Sequence, residues 1–364
     1  MSRTSGIELP WWSFLAPVFS CGLLFSTRGE ALPAWQLVLV SAAIIAAVLV
    51  AVFHAEVVAH RVGEPLGTLV LALCVTVIEV SLIVSLMLSG GENASVLARD
   101  TVFSTVMIIC NGVIGLSVMA GALRYHIVRF NTDSVSSALS VLTALTTLTL
   151  VLPKFTTSTP GPTYSLSQLV FAGSMSLLLY GLFVFVQTIR HRDFFLHMGV
   201  HGCEDEVHAL PPSVATSMAS LGLLVFSLIA VVGLAKKLAP AIEHGVAALG
   251  LPPAVVGVAI AMLVLLPETL AALRAAKLNR MQTSINLALG SALATIGLTI
   301  PAVAAASVFF GIPLELGLSS LDIVLLSLTL LVCTITLVIG RATVLQGAVH
   351  LVLFAAFLFL AIVP

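Results

Sequence analysis

The stretch GEPLGTLVLALCVTVIEVSLIVS, residues 63–85, sets a carboxylate, Glu79, deep in an apolar run. A second stretch, LPPAVVGVAIAMLVLLPETLAAL at 251–273, does the same with Glu268. Each opens with proline and then a small residue, Gly67 or Gly257, and each glutamate follows that glycine by eleven or twelve residues. Each is followed by a basic residue and a second span rich in small residues: ARDTVFSTVMIICNGVIGLS from Ala98 and NRMQTSINLALGSALATIGLTIP from Asn279. Such self-similarity is the signature of an internal repeat.

The rest of the chain is equally apolar. Of its 364 residues 59% are hydrophobic and 9% charged, against about 25% charged in a soluble protein. Mean hydropathy is +1.18. That excludes a soluble enzyme, a nucleic-acid binder and a disordered chain, and makes membrane lipid the surrounding medium. The net charge of −1 offers nothing to a nucleic acid. The five cysteines, Cys21, Cys74, Cys110, Cys203 and Cys333, form no CxxC pair, so neither a disulfide framework nor a zinc module is expected. The first apolar stretch reads as a retained helix rather than a signal peptide: only Arg3 precedes it, no A-x-A site follows, and another span comes next.

A membrane helix needs about 20 mostly apolar residues. Eleven stretches qualify: 11–26, 34–54, 66–89, 101–123, 134–152, 165–189, 213–235, 253–273, 283–310, 320–340 and 343–363. The expected fold is an all-α polytopic membrane protein of about 11 transmembrane helices. With the N-terminus cytoplasmic, ten basic residues fall inside and five outside, as the positive-inside rule requires. The C-terminus is then outside, and the expected location is the cell (inner) membrane.

The organisation follows: an N-terminal helix (1–33), a first five-helix repeat (34–189), a cytoplasmic linker (190–212) and a second five-helix repeat (213–364). Five is odd, so the two repeats enter the membrane in opposite directions. This is the inverted-repeat plan of many secondary transporters, whose site lies near the midplane. The linker carries four histidines and the acidic run Glu204, Asp205 and Glu206. It reads as a solvated connector or, more sharply, as a regulatory cation- or pH-sensing segment.

Among the sixteen acidic residues only Glu79 and Glu268 lie near span centres. A charge there costs about 2.5–3.5 kcal/mol on insertion scales and normally marks an ion pathway. A protonated, carbonyl-bonded glutamate is the alternative for either one alone; a pair at matching repeat positions argues against it. No Lys or Arg sits mid-span, so a mobile cation or proton is the simplest counter-charge. Pro267, just before Glu268, lacks an N–H and clashes with the carbonyl of Leu263, which frees carbonyl oxygens that hard cations prefer alongside carboxylates. Supporting polar groups are Thr76, Ser104, Asn111, Asn286 and Ser291. Taken singly, each reads as glue between helices. His54, Glu56 and His60 do not make HExxH, His350 reads as a packed histidine, and no P-loop is present. No cofactor is expected.

At these segments the chain resembles the ChaA-type bacterial calcium/proton antiporters of the calcium/cation antiporter superfamily. The resemblance covers nearly the whole chain in layout and is strongest at 63–121 and 265–303. It implies an inverted repeat of five helices, an extra first helix, alternating access, and cation and proton competing at Glu79 and Glu268. It also implies Ca²⁺ as cargo, with Na⁺ and K⁺ as further candidates. The chain departs from the better-known exchangers at three positions: Thr76 and Leu265 stand where their pattern has Asn, and Ala294 where it has Gln.

The expected function is therefore secondary cation/proton antiport, with Glu79 and Glu268 as the cation- and proton-binding residues. A cation channel or a transporter without proton exchange is the alternative. An intramembrane enzyme is disfavoured, since no nucleophile–base pair or metal triad stands out. A homo-oligomer is left open.

Overall fold

The computed structural model describes residues 9–27, 33–62, 66–88, 94–190 and 212–364. The acidic run Glu204, Asp205 and Glu206 lies outside the described residues. The fold is all-α and polytopic. Among the described residues eight helices are long and apolar enough to cross a membrane; a bent pair and two shorter apolar helices complete the expected eleven.

Helices α1 (Trp11–Ser26), α2 (Ala34–Val62) and α3 (Leu66–Leu88) come first. Next are α4 (Ala94–Met107) and α5 (Ile114–Tyr125), joined through a π-helical turn at Ile108–Val113. Then come α6 (Thr132–Thr146), ending in a π turn at Thr147–Val151, and α7 (Leu166–Phe185). After the linker come α8 (Val214–Ala248), α9 (Ala254–Val264) and α10 (Leu266–Lys277). Helices α11 (Met281–Ala294) and α12 (Ile300–Phe310) join through a π turn at Thr295–Thr299. The last are α13 (Ser320–Leu337) and α14 (Val344–Ile362).

Two helices outrun their hydropathic limits. α8 continues past Lys236 and Lys237, and α2 continues through His54, Glu56 and Arg61. Polar side chains end an apolar stretch, but they end a helix only if they cannot be satisfied on it. Lys237 Nζ donates to Leu24 O at 2.9 Å, to Thr27 Oγ1 at 2.8 Å and to the Thr27 carbonyl. That ammonium caps the C-terminus of α1, where the helix dipole is negative. His54 Nε2 lies 3.0 Å from Ser13 O, and Arg61 Nη1 donates to Pro212 O at 3.1 Å.

The chain forms two compact units, Met1–Gly91 with Gly199–Gly245, and Glu92–Met198 with Val246–Pro364. They cut across the repeats, so each unit is built from both halves of the chain. In the first unit α2 packs along α1 and α3. α1 crosses α8 where a Cβ on Gly233 would come within 2.5 Å of the Leu24 side chain, so a larger residue there would require Leu24 to move.

In the second unit α9 packs on α4, α10 on α5 and α11, α14 on α5, α11 on α6, and α12 on α7. Its two ends are stitched differently. At one end β1 (Val128–Arg129) pairs antiparallel with β2 (Arg341–Ala342), and Tyr125 Oη donates to Lys277 O at 3.0 Å. At the other, the loop before α13 is held by Glu315 N–H to Ser95 O, Gly317 N–H to Pro162 O and Leu318 N–H to Leu150 O, each 2.9 Å.

Candidate functional site

Glu79 sits past the middle of α3, an unbroken helix with no proline inside it. Its side chain is 2% exposed and Thr76, one turn earlier, is 5% exposed. Ile78, Leu82 and Ile83 around it are buried. The first residues of the repeat motif, 63–65, lie outside the described residues.

Glu268 has a different local setting. Helices α9 and α10 meet at Leu265 with a bend of 54° and together are long and apolar enough to cross a membrane. Leu265 still donates its N–H to Ala261 O, and Thr269 gives both its N–H (2.9 Å) and its hydroxyl (2.7 Å) to Leu265 O. Pro267, at the start of α10, has no N–H to return to Leu263. The ladder therefore breaks where the proline predicts. Glu268, half-buried, stands in the first turn of the new helix, the end at which a helix dipole favours negative charge. Broken spans whose half-helix ends face a site are a recurrent transporter device.

The spans after each glutamate-bearing helix both carry a π turn, Ile108–Val113 and Thr295–Thr299. Such turns release carbonyls from the regular ladder and recur at functional sites. Asn111 lies in the first, fully buried. Its Nδ2 donates to Thr329 Oγ1 at 2.8 Å, while Oδ1 has no hydrogen-bond partner among the described residues. Thr329 in turn donates to Met107 Sδ at 3.4 Å.

On α11, Gln282 is saturated. Its Oε1 accepts the Asn131 N–H at 2.6 Å, and its Nε2 donates to Ser134 Oγ and Asn286 Oδ1, each at 2.8 Å. That network ties α11 to α6 and fixes which way the Asn286 amide points. Asn286 and Ser291 are half-buried. Ser104, 2% exposed, lines a cavity with Asp100. The second unit thus gathers Ser104, Asn111, Glu268, Asn286 and Ser291, while Thr76 and Glu79 belong to the first.

His350 is packed as the sequence reading has it: fully buried, with Nε2 3.2 Å from Thr336 Oγ1. One feature escaped that reading. Asp100 and Asp322 share one cavity wall; read singly, they were an edge residue and a span-end residue. Among the described residues no group of three or more His, Cys, Asp or Glu is placed to hold a metal ion.

Comparison with known proteins adds the following. The profile of the family described as sodium/calcium exchanger protein matches residues 32–189 and 219–363. A protein of Sinorhizobium fredii (strain NBRC 101917 / NGR234), carried under the name ionic transporter y4hA, is 50% identical over 364 residues, covering 98% of this chain and 97% of that one. The sodium-potassium/proton antiporter ChaA of Escherichia coli (strain K12) is 35% identical over 306 residues, covering 84% of this chain and 82% of the other. The crystal structure of the H⁺/Ca²⁺ exchanger CAX superposes with a TM-score of 0.72 at 14% identity, covering 96% of this chain and 86% of that one.

Proposed function

The chain belongs to the sodium/calcium exchanger protein family, and on that premise we propose that it is a cation/proton antiporter of the cell (inner) membrane that exports Ca²⁺ in exchange for H⁺. Glu79 and Glu268 are its exchanging carboxylates. The observation that carries this reading is Glu268 in the first turn of a helix broken inside a membrane span. A carboxylate is expensive there and a broken ladder is too. Both are tolerated where the backbone lines an ion path.

Facing the cytoplasm, the two carboxylates release protons and take up a cation, helped by carbonyl oxygens and by the hydroxyl and amide groups of Thr76, Ser104, Asn111, Asn286 and Ser291. Facing outside, protons displace it. Neither loaded state leaves much net charge in hydrocarbon. Two carboxylates suit one divalent ion, and two protons against one Ca²⁺ is electroneutral. One proton against one Ca²⁺ would move charge at about 2.3 kcal/mol per 100 mV.

The 35% identical relative is named a sodium-potassium/proton antiporter, which supports a second reading in which Na⁺ or K⁺ is the cargo at the same carboxylates. Inside-out vesicles with an acid lumen separate the two. Ca²⁺, Na⁺ and K⁺ are added separately and lumenal pH is followed. Alkalinisation by Ca²⁺ alone supports calcium export, and alkalinisation by Na⁺ or K⁺ alone replaces it with the second reading. Proton-independent cation current with no pH change overturns both and leaves a channel.

A further inference from the structure

We propose that the cavity of about 110 Å³ in the second unit, walled by Asp100, Ser104, Ser319 and Asp322 over a floor of Phe103 and Phe357, is a vestibule that binds a hydrated metal cation. The four polar groups come from the middle of α4 (Asp100 and Ser104) and from the N-cap and first turn of α13 (Ser319 and Asp322), and the cavity is closed by the start of α9 and the end of α14. It therefore opens at one membrane face, the one that the basic-residue bias assigns to the exterior.

The walls are chosen for cations. Asp100, nearly two turns into α4, is 9% exposed. Arg99 Nε bonds only its Oδ1, at 2.8 Å, and the same guanidinium is shared with Gly317 O at 3.2 Å. Asp322 and Glu315 both lie within electrostatic range of Asp100, whose one ion-pair partner among the described residues is Arg99. Asp322 Oδ2 accepts from Ser319 Oγ at 2.7 Å and its N–H gives to the same hydroxyl at 3.2 Å. This cap explains why α13 starts there, but not why Asp100 is held opposite.

The second observation is independent of the acids. Ser104 is 2% exposed, lines the cavity, and makes no hydrogen bond to another described residue. Other buried hydroxyls here turn back on the carbonyl four residues earlier, as Ser176 does on Ala172 O at 2.8 Å. Its hydroxyl is therefore left to bond whatever occupies the cavity.

The volume holds a cation and part of its water shell, water occupying about 30 Å³ per molecule. Oxygen-only donors select hard cations. With two carboxylates rather than three or more ligands on the wall, the ion keeps water, so binding is weak and exchange fast. Such a site raises local cation concentration near the path without trapping the ion. The inference of binding stands on the cavity alone; its service to exchange rests on the function proposed above.

The test uses the full-length protein in two assays. Mn²⁺ binding is read by electron paramagnetic resonance on purified Glu79→Gln/Glu268→Gln protein, which removes the exchanging carboxylates. Residual weak binding is expected, weakened at least tenfold by adding Asp100→Asn or Asp322→Asn and regained with Asp322→Glu. In proteoliposomes with otherwise native protein, Asp322→Asn should raise the half-saturating cation concentration at the vestibule face about fivefold or more, with the maximal rate within twofold.

Mn²⁺ binding unchanged by both aspartate variants overturns the vestibule. So does a loss of maximal rate without a shift in half-saturation, which marks a merely structural cap. Should Asp100→Asn not fold, the Asp322 pair decides alone. A wild type that binds Mn²⁺ at the cavity but moves no protons with any cation overturns the antiport reading and leaves the vestibule standing.

Discussion

Glu79 and Glu268 occupy matching places in the repeated segments, yet their helices are built differently. Glu79 rides on a continuous α3, buried at 2% exposure among close-packed isoleucine and leucine. Glu268 starts a new helix after a 54° corner and is half-buried. The difference comes from a single residue type. Pro267 precedes Glu268 where Ile78 precedes Glu79. A continuous helix presents its carboxylate from an unbroken backbone ladder packed into the core. A broken one holds it by backbone geometry, with a helix N-terminus behind the charge. The same chemistry is thus placed once on a rigid rod and once on a hinge.

The most severe way to break the comparison is to remove each charge. Glu79→Gln and Glu268→Gln are each expected to reduce cation-driven proton flux in proteoliposomes to the protein-free background. Full activity in either variant would take that residue out of the exchange.

Next is the exchange of local backbone types. Ile78→Pro should remove a ladder bond from α3 at about 3 kcal/mol or more, and little folded protein should survive detergent extraction and size-exclusion chromatography. Pro267→Ala should do the opposite. It restores an N–H, leaves thermal stability equal or higher, and slows exchange about tenfold because the corner at Leu265 relaxes. A fast, straightened variant would show that the corner is only packing.

Shortening the side chain sharpens the contrast further. A misplacement of about 1 Å can cost about 100-fold in rate. Glu79→Asp, on its packed rod, should pay that loss in full, whereas Glu268→Asp, beside a hinge, should lose about tenfold. Equal losses would mean that the hinge gives the carboxylate no freedom. Smaller again is Gly257→Ala. An added Cβ would meet the Asp100 backbone at 2.9 Å and Thr101 N at 3.0 Å. Overpacking of this kind costs about 1–3 kcal/mol, read as a lower melting temperature. The smallest effect is expected for Thr269→Val, which removes one hydroxyl bond to Leu265 O and should lower stability by about 1 kcal/mol with flux within twofold.

Much of this was readable from the chain. The eleven spans were legible because lipid demands long apolar runs, and the proline-induced break was legible because Pro267 has no N–H to give. The π turns at Ile108–Val113 and Thr295–Thr299 were not, since one extra residue per turn leaves hydropathy unchanged. The ends of α2 and α8 were hidden by Lys237 and His54, whose partners Thr27 and Ser13 lie far away in sequence. The cavity acids were hidden because each has an ordinary local explanation. Asp100 follows its own Arg99, and Asp322 follows a capping Ser319. Only the fold, which sets α4 and the start of α13 around one cavity, brings them together. Grouping the helices into units that cut across the repeats was equally out of reach, because hydropathy records which segments are buried in lipid and not which neighbours they choose.

That grouping bears on how the protein is made. The second unit joins residues 92–198 to residues 246–364, and the bond from Asn111 to Thr329 spans 218 positions. A ribosome adding about 5–20 residues per second needs roughly ten to forty seconds to bridge that gap. During that interval α4 to α7 wait in the bilayer, their buried amide and hydroxyl groups not yet matched. A nascent chain that stops before Ser320 lacks the Thr329 partner of Asn111, so this unit is completed only when the last two helices have been made.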